Sequence, residues 1–199
     1  MSNFEYPTAM SLKGNNSDAL ISESIRTAEK SLAIFRNNWS ARYGQSGPKF
    51  MTLQMKDTIK NIKEKKLNLA VYLHRASEQT DSFCRKILCN PEVLSLLRNY
   101  HVWGWDMTLP LNEGIFKGLC KKFLPKYDTI LAMENASYPL LVLIDHNLSS
   151  DNVEVIRGQE NVDTIIKHLQ SYEASKPEEA NSDGGKGENI VDNDITKEH

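Results

Sequence analysis

The chain has 199 residues, 40% of them hydrophobic and 25% charged, which is enough for one substantial buried core with some residues outside it. The formal net charge is −2, but residues 173–199 hold eight acidic and only three basic residues, so the remainder of the chain carries +3. Three cysteines do not make the disulfide framework of a small secreted protein, and the sequence shows neither a signal-peptide pattern nor an apolar run long enough to span a bilayer. We therefore expect a cytoplasmic protein, or one that is also nuclear.

Both ends of the chain are too polar to fold alone. Residues 1–17 are rich in Asn and Ser without periodicity, and residues 173–199 combine glycine and acidic residues with few apolar ones. Neither segment can bury enough apolar surface to offset the entropy lost on ordering. We expect a disordered N-terminal segment, one domain over residues 18–172, and a disordered acidic tail.

Two helices are predicted before the first strand. Asp18 can cap the first helix, whose apolar residues recur at helical spacing until the chain reaches Tyr43 and Gly44. The second helix follows Pro48 and carries lysines beside an apolar face. That apolar face consists of Met51, Met55, Ile59 and Ile62.

From residue 67 onward the pattern alternates between strand and helix. Predicted strands cover residues 67–73, 101–106, 140–145 and 153–158. A helix begins at Asp81, breaks at Asn90 and Pro91 with Asn90 as the new N-cap, and further helices cover residues 112–124 and 162–172. The order β-α-β-α-β-β-α requires a parallel pair first, and its short last connection forces an antiparallel pair. This predicts an α/β, thioredoxin-like fold with a central four-stranded mixed sheet and extra N-terminal helices.

Several motifs in the right order carry a resemblance to a known family. The chain contains YLH, FCRKILCNPEV and WGWD within residues 69–108, with FRNNWSARYG upstream and YPLLVLI downstream. Over roughly residues 33–172 it resembles the UAS domain of the Fas-associated factor and UBX-domain proteins. The resemblance implies an adaptor of ubiquitin-dependent protein degradation, with ubiquitin-pathway proteins as partners.

A thioredoxin-type oxidoreductase needs a C-x-x-C motif at the start of the helix after the first strand, where the helix N-terminus lowers the pKa of the attacking thiol. Aligning Arg85-Lys86-Ile87 with the run that follows the second cysteine places Cys84 at the second position and Asp81 at the attacking one. Because a carboxylate cannot attack a disulfide, we predict no catalytic residue. Asp81 is expected to cap the helix, and Cys84 to behave as a small buried hydrophobe. The alternative is a single-cysteine thiol enzyme that uses Cys84.

The other cysteines and histidines give no sign of a metal or cofactor. Cys84 and Cys89 are separated by four residues, which is neither a redox pair nor a common zinc spacing. His74 and His101 lie at strand ends, where a lone histidine usually makes a local hydrogen bond. We expect no metal site and no cofactor. Since no recognition motif accompanies the basic residues, we also expect no nucleic-acid partner.

Trp103 and Trp105 are two residues apart on a predicted strand, so their side chains share one face of the sheet. They could form an exposed stacking platform or pack beneath a helix. We favour packing, because aromatic residues of strands usually lie in the core.

The most concentrated basic residues are candidates for binding an anion. They are Lys117, Lys121 and Lys122 on one predicted helix, Lys126 just after it, and Arg85 and Lys86 on another helix. An ordinary solvated helix face explains such residues equally well. The resemblance favours a ligand, because UAS domains of this kind are associated with long-chain unsaturated fatty acids. It implies a monomer that self-associates on binding such lipids; the alternative is a protein adaptor without a lipid ligand.

The thioredoxin topology places a cis-proline just before its third strand. Here the sequence YPLLVLI has Pro139 at that place. We therefore predict a cis peptide bond between Tyr138 and Pro139.

Overall fold

The computed structural model describes residues 18–22, 28–124, 137–149 and 152–174. The segments expected to be disordered lie outside these residues, apart from the end of the last helix at residues 173 and 174. Helices in the described part are α1 (Ala28–Tyr43), α2 (Met55–Lys65), α3 (Glu78–Phe83), α4 (Pro91–Leu97), α5 (Pro110–Phe123) and α6 (Val162–Ala174), with a π-helical turn at Cys84–Leu88. The strands are β1 (Asn68–His74), β2 (Tyr100–Asp106), β3 (Leu140–Ile144) and β4 (Val153–Arg157).

The four strands form one mixed sheet in the order β2-β1-β3-β4. β1 and β2 are parallel, whereas β3 is antiparallel to both β1 and β4. β1 and β3, the two central strands, are buried along their whole length, as expected for strands covered on both faces. The predicted α/β, thioredoxin-like architecture is confirmed.

The helices cover both faces of the sheet, and side chains of β2 point alternately towards one face and the other. Trp103 and Trp105 point towards α5: their rings stack at 5.4 Å, and Trp105 Nε1 donates to the Asn112 carbonyl at 2.9 Å. Helix α2 lies beside α5 on this side, which we call the tryptophan face. Both indoles are fully buried, so the prediction that they pack in the core is confirmed.

The opposite side is named the Tyr72 face, after the residue of β1 that points into it. Tyr72 stacks on Phe83 of α3, and Phe35 of α1 packs closely over Gly104 of β2. Tyr100 donates a hydrogen bond to the Leu169 carbonyl of α6 at 3.5 Å, and α4 packs against α6. Helices α1, α3, α4 and α6 therefore cover this face.

The two N-terminal helices begin later than the sequence predicts. The chain at residues 18–22 is not helical, because its backbone is bonded to the sheet region instead: Ile21 N donates to Asp106 Oδ2 at 2.9 Å, and the Ile21 carbonyl accepts from Asn112 Nδ2 at 2.9 Å. The prediction that Asp18 caps α1 was therefore wrong. Helix α2 starts at Met55 rather than after Pro48, since Met51 N is engaged by the Val102 carbonyl of β2 at 2.8 Å.

Three local predictions agree with the structure. Helix α1 ends at Tyr43, where Gly44 adopts a φ of 100° that suits glycine. The Asn90 side chain accepts from two backbone amides at the start of α4, and Pro91 is the first helical residue. The Tyr138–Pro139 peptide bond is cis, as predicted from its place before β3.

Candidate functional site

The region after β1, where a thioredoxin-type enzyme carries its redox motif, is organised differently from the sequence prediction. Helix α3 begins at Glu78, and its N-cap is Ser77, whose Oγ accepts from Thr80 N at 3.1 Å. The prediction that Asp81 is the cap was therefore wrong. Asp81 is the fourth residue of the helix, at the end of its first turn, where the effect of the helix dipole is already weakened.

Asp81 is instead held by helix α1. Its carboxylate accepts a hydrogen bond from Tyr43 Oη at 2.5 Å and forms an ion pair with Arg42 at 3.2 Å. Partial burial raises the pKa of Asp81, but the hydrogen bond from Tyr43 and the charge of Arg42 outweigh it, so that the pKa is lowered. Asp81 is thus a charged anchor for the end of α1.

The Tyr43 ring is enclosed by two guanidinium groups. Arg42 lies 5.7 Å and Arg85 5.4 Å from its centroid, both within range of a cation–π contact. Arg85 also donates to the Arg42 carbonyl at 3.4 Å. These contacts cover the position at which a thioredoxin-type enzyme carries its redox motif.

The Cys84 thiol lies beneath this cover and is fully buried. Cys84 Sγ and Tyr72 Oη lie 3.0 Å apart, and the Tyr72 hydroxyl also contacts His74 Nδ1 at 3.1 Å. Burial raises the pKa of Cys84 to about 11, although hydrogen bonds, first among them that with Tyr72, act against the rise. The buried location predicted for Cys84 is confirmed. Its thiol is neutral at physiological pH and out of contact with solvent, whereas a nucleophilic cysteine requires an accessible thiolate.

The six basic candidates do not form one patch. Arg85 and Lys86 are exposed on the π-helical turn, on the Tyr72 face, whereas the described lysines of α5 lie on the tryptophan face. Lys126 lies outside the described residues. A single anion therefore cannot contact both groups.

The lysines of α5 also differ among themselves. Lys117 is paired with Glu113 at 2.6 Å, and Glu113 is shared with Arg75 at 3.1 Å. Lys121 and Lys122 are exposed in the last turn and have no ion-pair partner within the described residues. Lys121 and Lys122 are the two α5 lysines best placed to meet a ligand from solvent.

A groove that the sequence did not predict runs beside β2, one of the two edge strands of the sheet. It has a volume of about 500 Å³ and lies between the loop at residues 46–51, helix α4 and β2. We call it the β2 groove. Its lining comes from three segments separated in sequence, so only the fold brings these residues together. The lining includes Lys49, Met51, Leu94, Leu97 and Arg98.

No group of three or more His, Cys, Asp or Glu side chains in the described part of the chain could hold a metal ion. No described helix is both long enough and apolar enough to cross a lipid bilayer.

Comparison with known proteins identifies relatives over most of the chain. A family model described as Fas-associated factor 1 matches residues 35–171. The chain is similar to mouse and human FAS-associated factor 1, at 28% identity over 162 residues in each case, covering 76% of this chain and 25% of the relative. It is also similar to human FAS-associated factor 2, at 30% identity over 114 residues, which is 57% of this chain and 23% of that protein. The chain spans about a quarter of the length of these curated relatives.

Proposed function

Because the chain belongs to the Fas-associated factor family, we propose that it is a non-catalytic interaction module that works within or beside ubiquitin-dependent protein degradation, in the cytoplasm or also in the nucleus. The observation that carries the non-catalytic part is the state of the two residues that align with the redox motif, Asp81 and Cys84. Asp81 stands at the attacking position and is bound by Tyr43 and Arg42, and the Cys84 thiol below it is buried. Asp81 therefore anchors helix α1, and Cys84 packs in the core.

Insulin reduction tests the non-catalytic assignment. The chain, in the presence of a dithiol reductant, is expected to reduce insulin disulfides no faster than the reductant alone, because Cys84 is neither ionised nor accessible. Turnover that disappears in Cys84→Ser would establish the alternative, a single-cysteine thiol enzyme. Turnover retained in Cys84→Ser would point to one of the other two free thiols, Cys89 or Cys120.

A place in protein degradation is tested by capture from cell extracts. The tagged chain is expected to recover ubiquitylated proteins, and to recover more after the proteasome is inhibited. A matched control is the same chain unfolded by Trp103→Asp, which places a charge in the buried tryptophan face. Equal recovery by both proteins would contradict a specific interaction.

We further propose that long-chain unsaturated fatty acids bind at α5 and promote self-association. Three features of α5 support this. Lys121 and Lys122 are exposed and can meet a carboxylate, and Leu111 on the same helix is an exposed apolar residue. Gly114 and Gly118 leave open space along the helix, where an added Cβ would meet no atom within 4 Å. Each acyl methylene removed from water contributes about 0.8 kcal/mol, so the two parts of the ligand act together.

The opposite faces of the sheet provide a matched control for this site. Lys121→Glu with Lys122→Glu is expected to abolish the increase in sedimentation coefficient caused by oleate or linolenate below micelle formation. Lys86→Glu with Lys167→Glu makes the same change in charge on the Tyr72 face, where both side chains are exposed, and is expected to respond like wild type. Saturated chains of equal length are expected to give a weaker response. Unchanged sedimentation of the wild type with lipid would favour an adaptor without a lipid ligand.

A further inference from the structure

The β2 groove combines an apolar floor with a cationic rim. Leu97 is buried, and Met51 and Leu94 are half-buried and face the groove. Lys49 and Arg98 are exposed at the rim, and neither has an ion-pair partner among the described residues. A groove with this chemistry suits an extended peptide with aliphatic side chains on one face and acidic side chains on the other.

The last helix, α6, ends beside this groove. Helix α6 ends at Ala174, and near its end Glu173 Oε1 accepts from Asn99 Nδ2 at 2.8 Å. One residue earlier, the ring of Tyr172 lies 6.4 Å from that of Tyr100. Asn99 stands between Arg98 and Tyr100, which both line the groove. The chain therefore leaves α6 beside the cationic rim.

The segment that follows has the complementary composition. Residues 175–199, the part of the acidic tail that follows α6, contain seven Asp and Glu against three Lys. Within it, residues 188–195 read ENIVDNDI, with three acidic residues, three branched aliphatic residues and no basic one. Almost all aliphatic side chains of the tail are concentrated there, next to its charges.

We propose that residues 188–195 of the acidic tail occupy the β2 groove of the same molecule. In an extended chain Val191 and Ile195 share one face and cover the apolar floor, while Asp192 and Asp194 on the other face meet Lys49 and Arg98. The groove is thereby a peptide-binding site whose resident ligand is the chain's own tail. A partner peptide of the same acidic and aliphatic chemistry has to displace it.

The length of the tail is compatible with this placement. Fourteen residues lead from Ala174 to Glu188, and an extended chain of that length reaches up to about 45–50 Å. The tether also raises the concentration of the segment at the groove to about the millimolar range, so a contact that is weak between separate molecules is occupied within one.

Two charge reversals in the tail test the proposal in the full chain. Asp192→Lys with Asp194→Lys is expected to shift the amide resonances of Leu94, Leu97 and Val102 in the groove, because the peptide leaves it. Glu178→Lys with Glu179→Lys makes the same change in tail charge outside the segment and is expected to leave those resonances unchanged. Neither pair lies within the described fold, so both variants are expected to unfold like wild type.

A synthetic peptide of residues 186–197 supplies the second measurement. It is expected to bind the Asp192→Lys, Asp194→Lys chain at least about tenfold more tightly than wild type, where the tethered segment competes. Adding Arg98→Glu to that chain should abolish the binding. Groove resonances that stay unchanged in both variants, or that shift equally in both, would overturn the proposal. Shifts that grow with protein concentration together with a dimer in sedimentation would overturn it in favour of a second copy's tail.

Discussion

The side chains of Tyr72, His74 and Cys84 form a buried polar group that is held in its neutral forms. Burial raises the pKa of both Tyr72 and Cys84, and burial together with the nearby charge of Arg42 lowers the pKa of His74 to about 3. The Tyr72 hydroxyl contacts both of the others, Cys84 Sγ at 3.0 Å and His74 Nδ1 at 3.1 Å. The Tyr72 hydroxyl thus links two neutral groups in a place where an ion would be costly.

His74 makes the stability of the protein sensitive to acid. The pKa of His74 is about 6.5 in the unfolded chain and about 3 in the folded one, so between these values only the unfolded state binds the proton. The contribution is complete above pH 6.5 and is lost as the pH falls towards 3, by at most about 1.4 kcal/mol per pH unit. In His74→Gln, whose amide can still accept from Tyr72, the free energy of unfolding should fall less over that range.

Urea unfolding followed by tryptophan fluorescence measures both proteins, since all three indoles are buried. Asp81, whose pKa is lowered, loses its contribution on the same acidic side, but it does so in wild type and variant alike. Parallel pH profiles for the two proteins would show that His74 is not the group that titrates.

At the scale of elements, the glycines of strand β2 and helix α5 differ in the space around them. A Cβ added at Gly104 would lie 2.2 Å from Phe35 Cε1, inside the packed contact between α1 and the sheet. A Cβ added at Gly118 would meet nothing within 4 Å. The first glycine is required by packing, whereas the second only lowers the helix propensity of α5.

Alanine at the two positions should therefore act in opposite directions. Gly104→Ala is expected to lower the free energy of unfolding by about 1–3 kcal/mol through overpacking against Phe35. Gly118→Ala is expected to raise it by about 0.5–1 kcal/mol. Denaturant unfolding at neutral pH measures both; a neutral or stabilising result for Gly104→Ala would mean that α1 can move away from the sheet at little cost.

The sequence predicted which segments are strands and which are helices, but it predicted the first residues of several helices wrongly. The strands and the caps at Gly44 and Asn90 depend on local patterns, and the structure has them within about one residue of their predicted places. The starts predicted for α1, α2 and α3 were wrong because tertiary contacts fix these segments. Ile21 is bonded to Asp106, and Met51 to Val102. Asp81 is bonded to Tyr43. The β2 groove was unpredictable for the same reason, since only tertiary packing assembles its lining.

Across the whole molecule, Asp106 joins the N-terminal segment to the sheet. Its carboxylate accepts from Ile21 N at 2.9 Å and from the Thr108 backbone and hydroxyl at 2.9 and 2.5 Å. Asn112 completes the attachment by donating to the Ile21 carbonyl. Leu20 and Ile21 are thereby buried against residues more than 80 positions further along the chain.

Asp106→Ala should release this segment before it unfolds the domain. The Ile21 amide and its neighbours lose their acceptor, and the Asp106 side chain is fully buried, so we expect a loss of about 2–4 kcal/mol in the free energy of unfolding. Hydrogen exchange should become much faster at Ile21 than in the central strand β1. Thr108→Ala, which keeps the bond to Ile21, is the matched control and should leave exchange at Ile21 slow. Equal acceleration throughout the sheet would indicate global destabilisation instead.

The attachment of residues 18–22 and the whole of α1 to the sheet means that the unit of folding is larger than the unit of family recognition. The family match spans residues 35–171, so a recombinant fragment cut at those limits would begin inside α1 and lack Leu20, Ile21 and Leu32. Such a fragment would expose the apolar surface that these residues cover and leave the Asp106 carboxylate without its Ile21 donor. Expression boundaries for work on this domain should therefore start before Asp18, and poor solubility of a shorter piece would reflect the cut rather than the domain.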